Sequence, residues 1–247
     1  IKKKYGGTIE AVLEAQDRVK QELGQLRGVD SEIDRYDRLI TEQQQNVLVL
    51  ARSLSGKRTE AAKRLTKLVD KELSALKMGS VRFLVQVMPS WPDEMYGSDG
   101  ADRVEFQLST NAGEPLKPIS RVASGGELSR VMLALKSVLA EIDHVPVLIF
   151  DEIDTGVGGA VAATIGKRLR ELGRYHQVLC ITHLPQVASQ AQHHFSVEKL
   201  EVKGRTVATV RLLTGISREG EIARMLGGER ITAKTRSAAA ELIAGTQ

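Results

Sequence analysis

A seam of positions, apolar but for two glutamines, recurs every three or four residues from the start of the chain: Ile9, Val12, Gln16, Val19, Leu23 and Leu26, then Val29, Ile33, Tyr36, Ile40, Gln43, Val47, Leu50 and Leu54. The stripe is narrow, and its flanks are charged or Gln-rich, the pattern of a coiled-coil helix. At about 1.5 Å per residue, a helix over 8–54 reaches roughly 70 Å. One helix cannot bury such a seam. An antiparallel partner from outside this sequence is therefore expected, with a helical bundle or a homotypic coiled coil as the alternative. Gly24 and Gly28 predict a local break, Ser55-Gly56 a joint, and 57–77 a second amphipathic helix. The period then shifts to two at Val81, Phe83, Val85 and Val87, which predicts a strand; 103–109 predicts another, followed by a turn at Asn111-Ala112-Gly113. Residues 89–100 read as a turn-rich loop whose Trp91 is expected to pack.

A different pattern begins at Ser124. Ser124 and Glu127 form a Ser-x-x-Glu capping box, and Leu128, Val131, Met132, Leu135, Val138 and Leu139 continue it as an amphipathic helix. Gly125 and Gly126 fill the first turn, where glycine costs roughly 1 kcal/mol against alanine. Their expected use is close backbone approach of a visitor, and a helix start favours an anion such as phosphate. The apolar run 145–150 then ends in Asp151-Glu152. Such a run predicts a parallel strand covered on both faces, with ligands beyond its carboxyl end. Two adjacent carboxylates there suit one that holds Mg²⁺ and one that polarises a water. A helix over 160–172, a strand over 177–182 ending at His183, a hairpin over 195–202 and 205–212, and helices over 217–226 and 232–244 complete the reading.

Three stretches together carry a resemblance: Val-Ala-Ser-Gly-Gly-Glu-Leu-Ser-Arg at 122–130, Phe-Asp-Glu-Ile-Asp-Thr-Gly-Val-Gly-Gly at 150–159, and Ile-Thr-His-Leu-Pro-Gln-Val-Ala at 181–188. In this order they resemble the signature, Walker B and switch regions of the bacterial RecN family, SMC-like, ABC-type ATPases of double-strand-break repair. The resemblance implies an α/β fold: residues 55–247 as the C-terminal lobe of an ABC/SMC-type head, a parallel sheet with helices, and 1–54 as the descending helix of an antiparallel coiled-coil arm. It implies that Glu152 orients and deprotonates the attacking water and that His183 contacts the γ-phosphate. Asp151 would hold Mg²⁺ through water. Ser124, Gly125, Gly126 and Glu127 would lie across the nucleotide of a second head, and Asp154 would open a D-loop that reaches it. The implied cofactors are ATP and Mg²⁺. The implied partners are double-stranded DNA ends, a homodimer formed through ATP-sandwiched heads, and the N-terminal half of the same protein.

The sequence departs from the pattern in two respects. No Gly-x-x-x-x-Gly-Lys-Ser/Thr occurs in it, and no Q-loop candidate precedes Ser124. The chain alone is therefore not expected to seat ATP, and the missing cradle is assigned to the N-terminal half. Two other readings compete: an SMC-type chromosome clamp, which a longer arm or a Cys-x-x-Cys hook would favour, and a non-enzymatic DNA-binding or dimerisation module.

Charge adds a little. Residues 1–80 carry 16 Lys and Arg against 12 Asp and Glu, whereas 81–247 balance at 19 and 19. The excess sits in the helical region and gives mild support to DNA contact. Cys180 is the single cysteine, so no disulfide forms within the chain, as suits a reducing cytoplasm; association with the nucleoid is what the RecN resemblance implies. No stretch is long and apolar enough to cross a membrane, and no secretory signal is present. The first residue is Ile1, which suggests a piece of a longer protein.

Overall fold

A computed structural model of the chain describes residues 4–89, 97–111, 113–121, 125–202, 205–228 and 230–245. Trp91, Ala112 and Ser124, on which three of the expectations above rest, lie outside the described residues. The chain divides into two compact units, 1–58 with 89–102, and 59–88 with 103–247.

One helix, α1 (Ile9–Ala75), takes part in both units. It opens with Thr8 Oγ1 accepting from the Ala11 N–H at 3.2 Å, a side-chain cap for an otherwise unpaired donor. Its 67 residues make about 100 Å of helix. The breaks expected at Gly24, Gly28 and Ser55-Gly56 do not occur. A glycine costs about 1 kcal/mol in a helix, too little to interrupt a run of Leu, Glu, Gln, Lys and Arg on either side. Along 9–54 the apolar seam lies open, with Ile9, Leu26, Ile33 and Tyr36 more than half exposed. In the same unit Arg58 closes on the 97–102 turn: Nη1 meets Asp102 Oδ2 at 3.1 Å and Nη2 donates to the Asp99 carbonyl at 2.7 Å.

In the larger unit α1 turns amphipathic. Val69, Leu73 and Leu76 are buried with Phe83, Val85 and Leu108 in one apolar core. β1 (Arg82–Pro89), β2 (Asp102–Ser109) and the two-residue β3 (Lys117–Pro118) form a sheet in the order β1-β2-β3, with β3 antiparallel to β2. α1 caps the free edge of β1. Asp70 Oδ1 accepts from the Phe83 N–H at 3.3 Å, and Thr66 Oγ1, one turn earlier, accepts from Val85 at 3.2 Å. Alternate edge donors are thereby satisfied and closed to a stray strand.

The second layer is built on a parallel pair. α2 (Gly125–Leu139) leads to β4 (Val147–Phe150); α3 (Gly159–Leu172) then crosses to β5 (Gln177–Cys180), and the short α4 (Pro185–Ala188) follows. β4 and β5 run parallel, in register from Val147↔Gln177 to Phe150↔Cys180. Val131, Leu133 and Ala134 of α2 and Ala162, Ile165 and Leu172 of α3 pack with Leu148 and Phe150. Burial of β4 on both faces is corrected here. Only Leu148 and Phe150 are covered; Ile149 is 70% exposed, and Val147, Leu179 and Ile181 share its open character. The apolar run marks a strand made for two covering layers, of which this chain provides one.

β6 (His194–Val202) and β7 (Arg205–Leu213) form an antiparallel hairpin, and α5 (Gly215–Gly227) packs with α6 (Ala233–Ala244) around Ile222, Ala223 and Ala239. The architecture is mixed α/β with a long N-terminal helix.

Candidate functional site

The start of α2 sits directly on the segment that leaves β4. A Cβ built on Gly125 would come within 2.8 Å of Glu152 Oε2, and one on Gly126 within 3.1 Å of the Glu152 carbonyl oxygen and 3.3 Å of Arg130 Nη1. Ser129 Oγ donates to the Asp151 carbonyl at 2.9 Å. The two glycines therefore have a use inside their own chain. They let the helix start close onto the acidic pair, which replaces the visiting phosphate as the immediate reason for glycine at 125 and 126. Gly125 itself is exposed and Gly126 is buried.

Asp151 and Glu152 are both exposed at the carboxyl end of β4. Asp151 Oδ1 accepts the Glu152 N–H at 2.9 Å, and among the described residues the second oxygen has no hydrogen-bond partner. Glu152 adopts φ +55°, the left-handed region that a residue with a side chain seldom enters. Such a conformation costs of order 1 kcal/mol or more and is kept where the surroundings hold it. Here the Asp151 carboxylate and the Thr155 N–H, which donates to the Glu152 carbonyl at 3.2 Å, hold it.

Arg130 is a residue to which sequence reasoning gave no role. It is buried, and Nη1 donates to the carbonyls of Ile153 at 3.3 Å and Thr155 at 3.0 Å. Burial pushes its pKa down, and the nearby Glu127 carboxylate pushes the other way. A guanidinium keeps its charge in either case, so Arg130 acts as a fixed two-carbonyl clamp between α2 and the loop after β4. Its signal in the sequence is a lone charge on the buried stripe of α2, among Gly126, Val131, Leu133 and Ala134.

Asp154 differs most from expectation. Its carboxylate is 3% exposed and engaged within the chain. Oδ2 accepts from Thr182 Oγ1 and from the His183 N–H at 3.1 Å, and His183 Nδ1 lies 3.4 Å from the same oxygen. The imidazole itself is exposed, with 72% of its side-chain surface open. Asp154 thus faces inward beneath His183 and does not present its side chain to a second molecule; Thr182 is the partner that the sequence did not reveal. Burial, with Asp154 and then Asp151 nearby, pushes the Cys180 thiol up to about 12, so it stays protonated and inert, as its apolar surroundings suggest.

The structure brings Gly125, Gly126, Asp151 and Glu152 together at one place, and joins Asp154 to His183. Glu127 lies half-buried in the first turn of α2. Among the described residues no group of three or more His, Cys, Asp and Glu could hold a metal. Mg²⁺ takes one or two carboxylates and completes its shell with water and phosphate oxygens, and Asp151 offers one exposed carboxylate. Also among the described residues, no helix is long and apolar enough to cross a membrane.

No sequence-family profile matches the chain. Individual relatives do. A DNA repair protein RecN from Treponema pallidum is 41% identical over 246 residues, covering 98% of this chain and 43% of that protein. RecN of Xylella fastidiosa strain 9a5c is 39% identical over 241 residues, with 98% and 43% covered. The chain is a homologue of the C-terminal part of bacterial RecN. It spans about two-fifths of the length of the RecN relatives it matches. A match over 98% of the chain takes in the long helix as well as the α/β unit, so the relation to RecN extends well beyond the three motifs. Among solved structures, an SMC head domain with a coiled coil and joint from Pyrococcus yayanosii aligns at 20% identity and TM-score 0.47, covering 86% of this chain and 37% of that one.

Proposed function

We propose that this chain is the signature-bearing and water-activating part of a RecN-type ATPase that acts in DNA double-strand-break repair, residues 1–54 serving as arm and 55–247 as head lobe. The observation that carries the reading is the seating of the Gly125–Gly126 helix start on an exposed, conformationally strained Glu152 beside Asp151. Glu152 accepts the proton of the attacking water. Its left-handed backbone turns the carboxylate out of line with β4, against the helix start, where a general base can serve a ligand held from outside. Asp151 would hold Mg²⁺ through water, and the ion would supply positive charge to neutralise the phosphates. His183, exposed above Asp154, offers a ring nitrogen to the γ-phosphate. Ser124, Gly125, Gly126 and Glu127 would lie across the nucleotide of a second head, an anion suited to the backbone N–H donors of the α2 start. The N-terminal half supplies the phosphate cradle and covers Ile149 and Leu179 on the open face of β4–β5 and the seam of α1. ATP joins two heads, hydrolysis parts them, and duplex DNA ends are tethered by the dimer.

The test is head pairing. With the N-terminal half restored, Ser124→Arg should abolish ATP-driven dimerisation in analytical ultracentrifugation. Pairing at wild-type affinity would remove the trans contact. Gly125→Ala separates the chemistry from the fold. It adds up to about 1 kcal/mol of helix propensity, yet its methyl group would come within 2.8 Å of Glu152 Oε2 and push the carboxylate aside. Thermal stability should hold or rise while ATP turnover falls at least about ten-fold, the loss that a displaced general base entails. Unchanged turnover would separate Glu152 from the helix start.

A further inference from the structure

The positive charge of the helical region is not spread along it. Residues 9–54 carry six Lys and Arg against nine Asp and Glu, whereas 55–80 carry seven against three. The arm portion of α1 is acidic, and the basic excess lies at its base. Within the larger unit Lys63, Arg64, Lys67 and Lys71 are all exposed. Spacings of three and four put them on one face, opposite the buried Ala62, Val69 and Leu73. Two of the three acids of this stretch are engaged elsewhere: Asp70 accepts from the Phe83 N–H at 3.3 Å, and Glu72 pairs with Arg168 Nε at 2.8 Å. Glu60 lies on the cationic face, and Asp70 borders the groove that Lys63 and Lys67 line. Among the described residues none of the four cations has an ion-pair partner within 4.0 Å. Like charges at i and i+4, as in Lys63, Lys67 and Lys71, destabilise a helix, and a polyanion along the stripe would relieve that. Lys63 and Lys67 also line an open groove between α1 and β1 whose wall includes Thr59, Thr66 and Gln86.

We infer that Lys63, Arg64, Lys67 and Lys71 form a contact surface for the sugar-phosphate backbone of duplex nucleic acid. The four side chains are point charges and one guanidinium with no aromatic, Asn or Gln between them on that face. They bind phosphate and do not read bases, so contact is independent of sequence and strongly salt-dependent. The inference rests on the DNA-repair reading for its ligand but not on ATP hydrolysis.

The test therefore omits nucleotide. The 247-residue chain is titrated onto a fluorescein-labelled duplex of mixed sequence, and anisotropy is followed from about 50 to 200 mM salt. Four phosphate contacts should give a log–log slope of about −3 to −4. K63Q/R64Q/K67Q/K71Q should weaken low-salt binding at least about ten-fold and flatten the slope by about 3. K63R/K67R/K71R keeps the charge and should bind like the wild type, which separates charge from packing. R18Q/K20Q/R27Q/R35Q on the arm should change little. No duplex binding by the wild type, an unaltered slope in the Gln variant, an equal loss in the arm variant, or stronger competition by polyglutamate than by duplex each overturns the assignment. None of these outcomes touches the role of Glu152, which ATP turnover reads separately.

Discussion

Glu152→Gln, in a head completed by its N-terminal half, should bind ATP as tightly as the wild type and hydrolyse it roughly 10²–10⁴-fold more slowly, the usual contribution of a positioned general base. The amide keeps the size of the carboxylate, and the backbone N–H still reaches Asp151 Oδ1, now at 2.9 Å. The turn at φ +55° should therefore survive, and with it the seating of Gly125. What the amide lacks is a basic oxygen for the water proton. Phosphate release at saturating ATP, set beside equilibrium ATP binding on the same sample, separates loss of chemistry from loss of fold. Turnover near the wild-type rate would remove Glu152 from the reaction and leave its strained backbone without a catalytic explanation.

How far the chain could be read without coordinates depends on the range of the interactions concerned. The seam of α1 was legible because its period is set by residues three and four apart. The apolar run into Asp151-Glu152 and the hairpin around 203–204 were legible for the same local reason, and β6 and β7 fall within a residue of where the pattern put them. β3 was not: Lys117-Pro118 has no apolar alternation, and only its register against Gln107 and Leu108 makes it a strand. The continuity of α1 was also missed, because Ser55-Gly56 reads as a joint when its small propensity cost is weighed without the helix on either side. The site divides in the same way. Residue types and order pointed to Asp151, Glu152 and His183. The clamp made by Arg130 and the inward turn of Asp154 depend on carbonyls and hydroxyls 23 to 28 residues away, and no local pattern encodes them. Gly125 and Gly126 were singled out for a ligand; the nearest atoms their missing side chains would meet belong to Glu152.

Asp154 is where that difference has the largest consequence. If its carboxylate holds His183 in place, Asp154→Ala should lower both stability and turnover. Removing Oδ2 leaves the His183 N–H and the Thr182 hydroxyl without the acceptor they now share, and an unsatisfied group of this kind costs about 1–3 kcal/mol. For a chain of this size each kcal/mol should appear as about 2–4 °C in Tm. Asp154→Asn keeps an acceptor oxygen and should recover most of the stability. It removes the charge 3.4 Å from His183 Nδ1, so its turnover should stay below wild type while ATP binding is unchanged. A purely structural role would restore both together. The double variant with His183→Ala decides the matter, since residues in contact show coupling that distant ones do not. If Asp154 works through His183, Asp154→Asn should slow an enzyme that already lacks the imidazole by far less than it slows the wild type. Fully additive losses would mean that Asp154 shapes the loop after β4 without orienting the histidine, and the reach of that loop toward a second head would again be the reading to test.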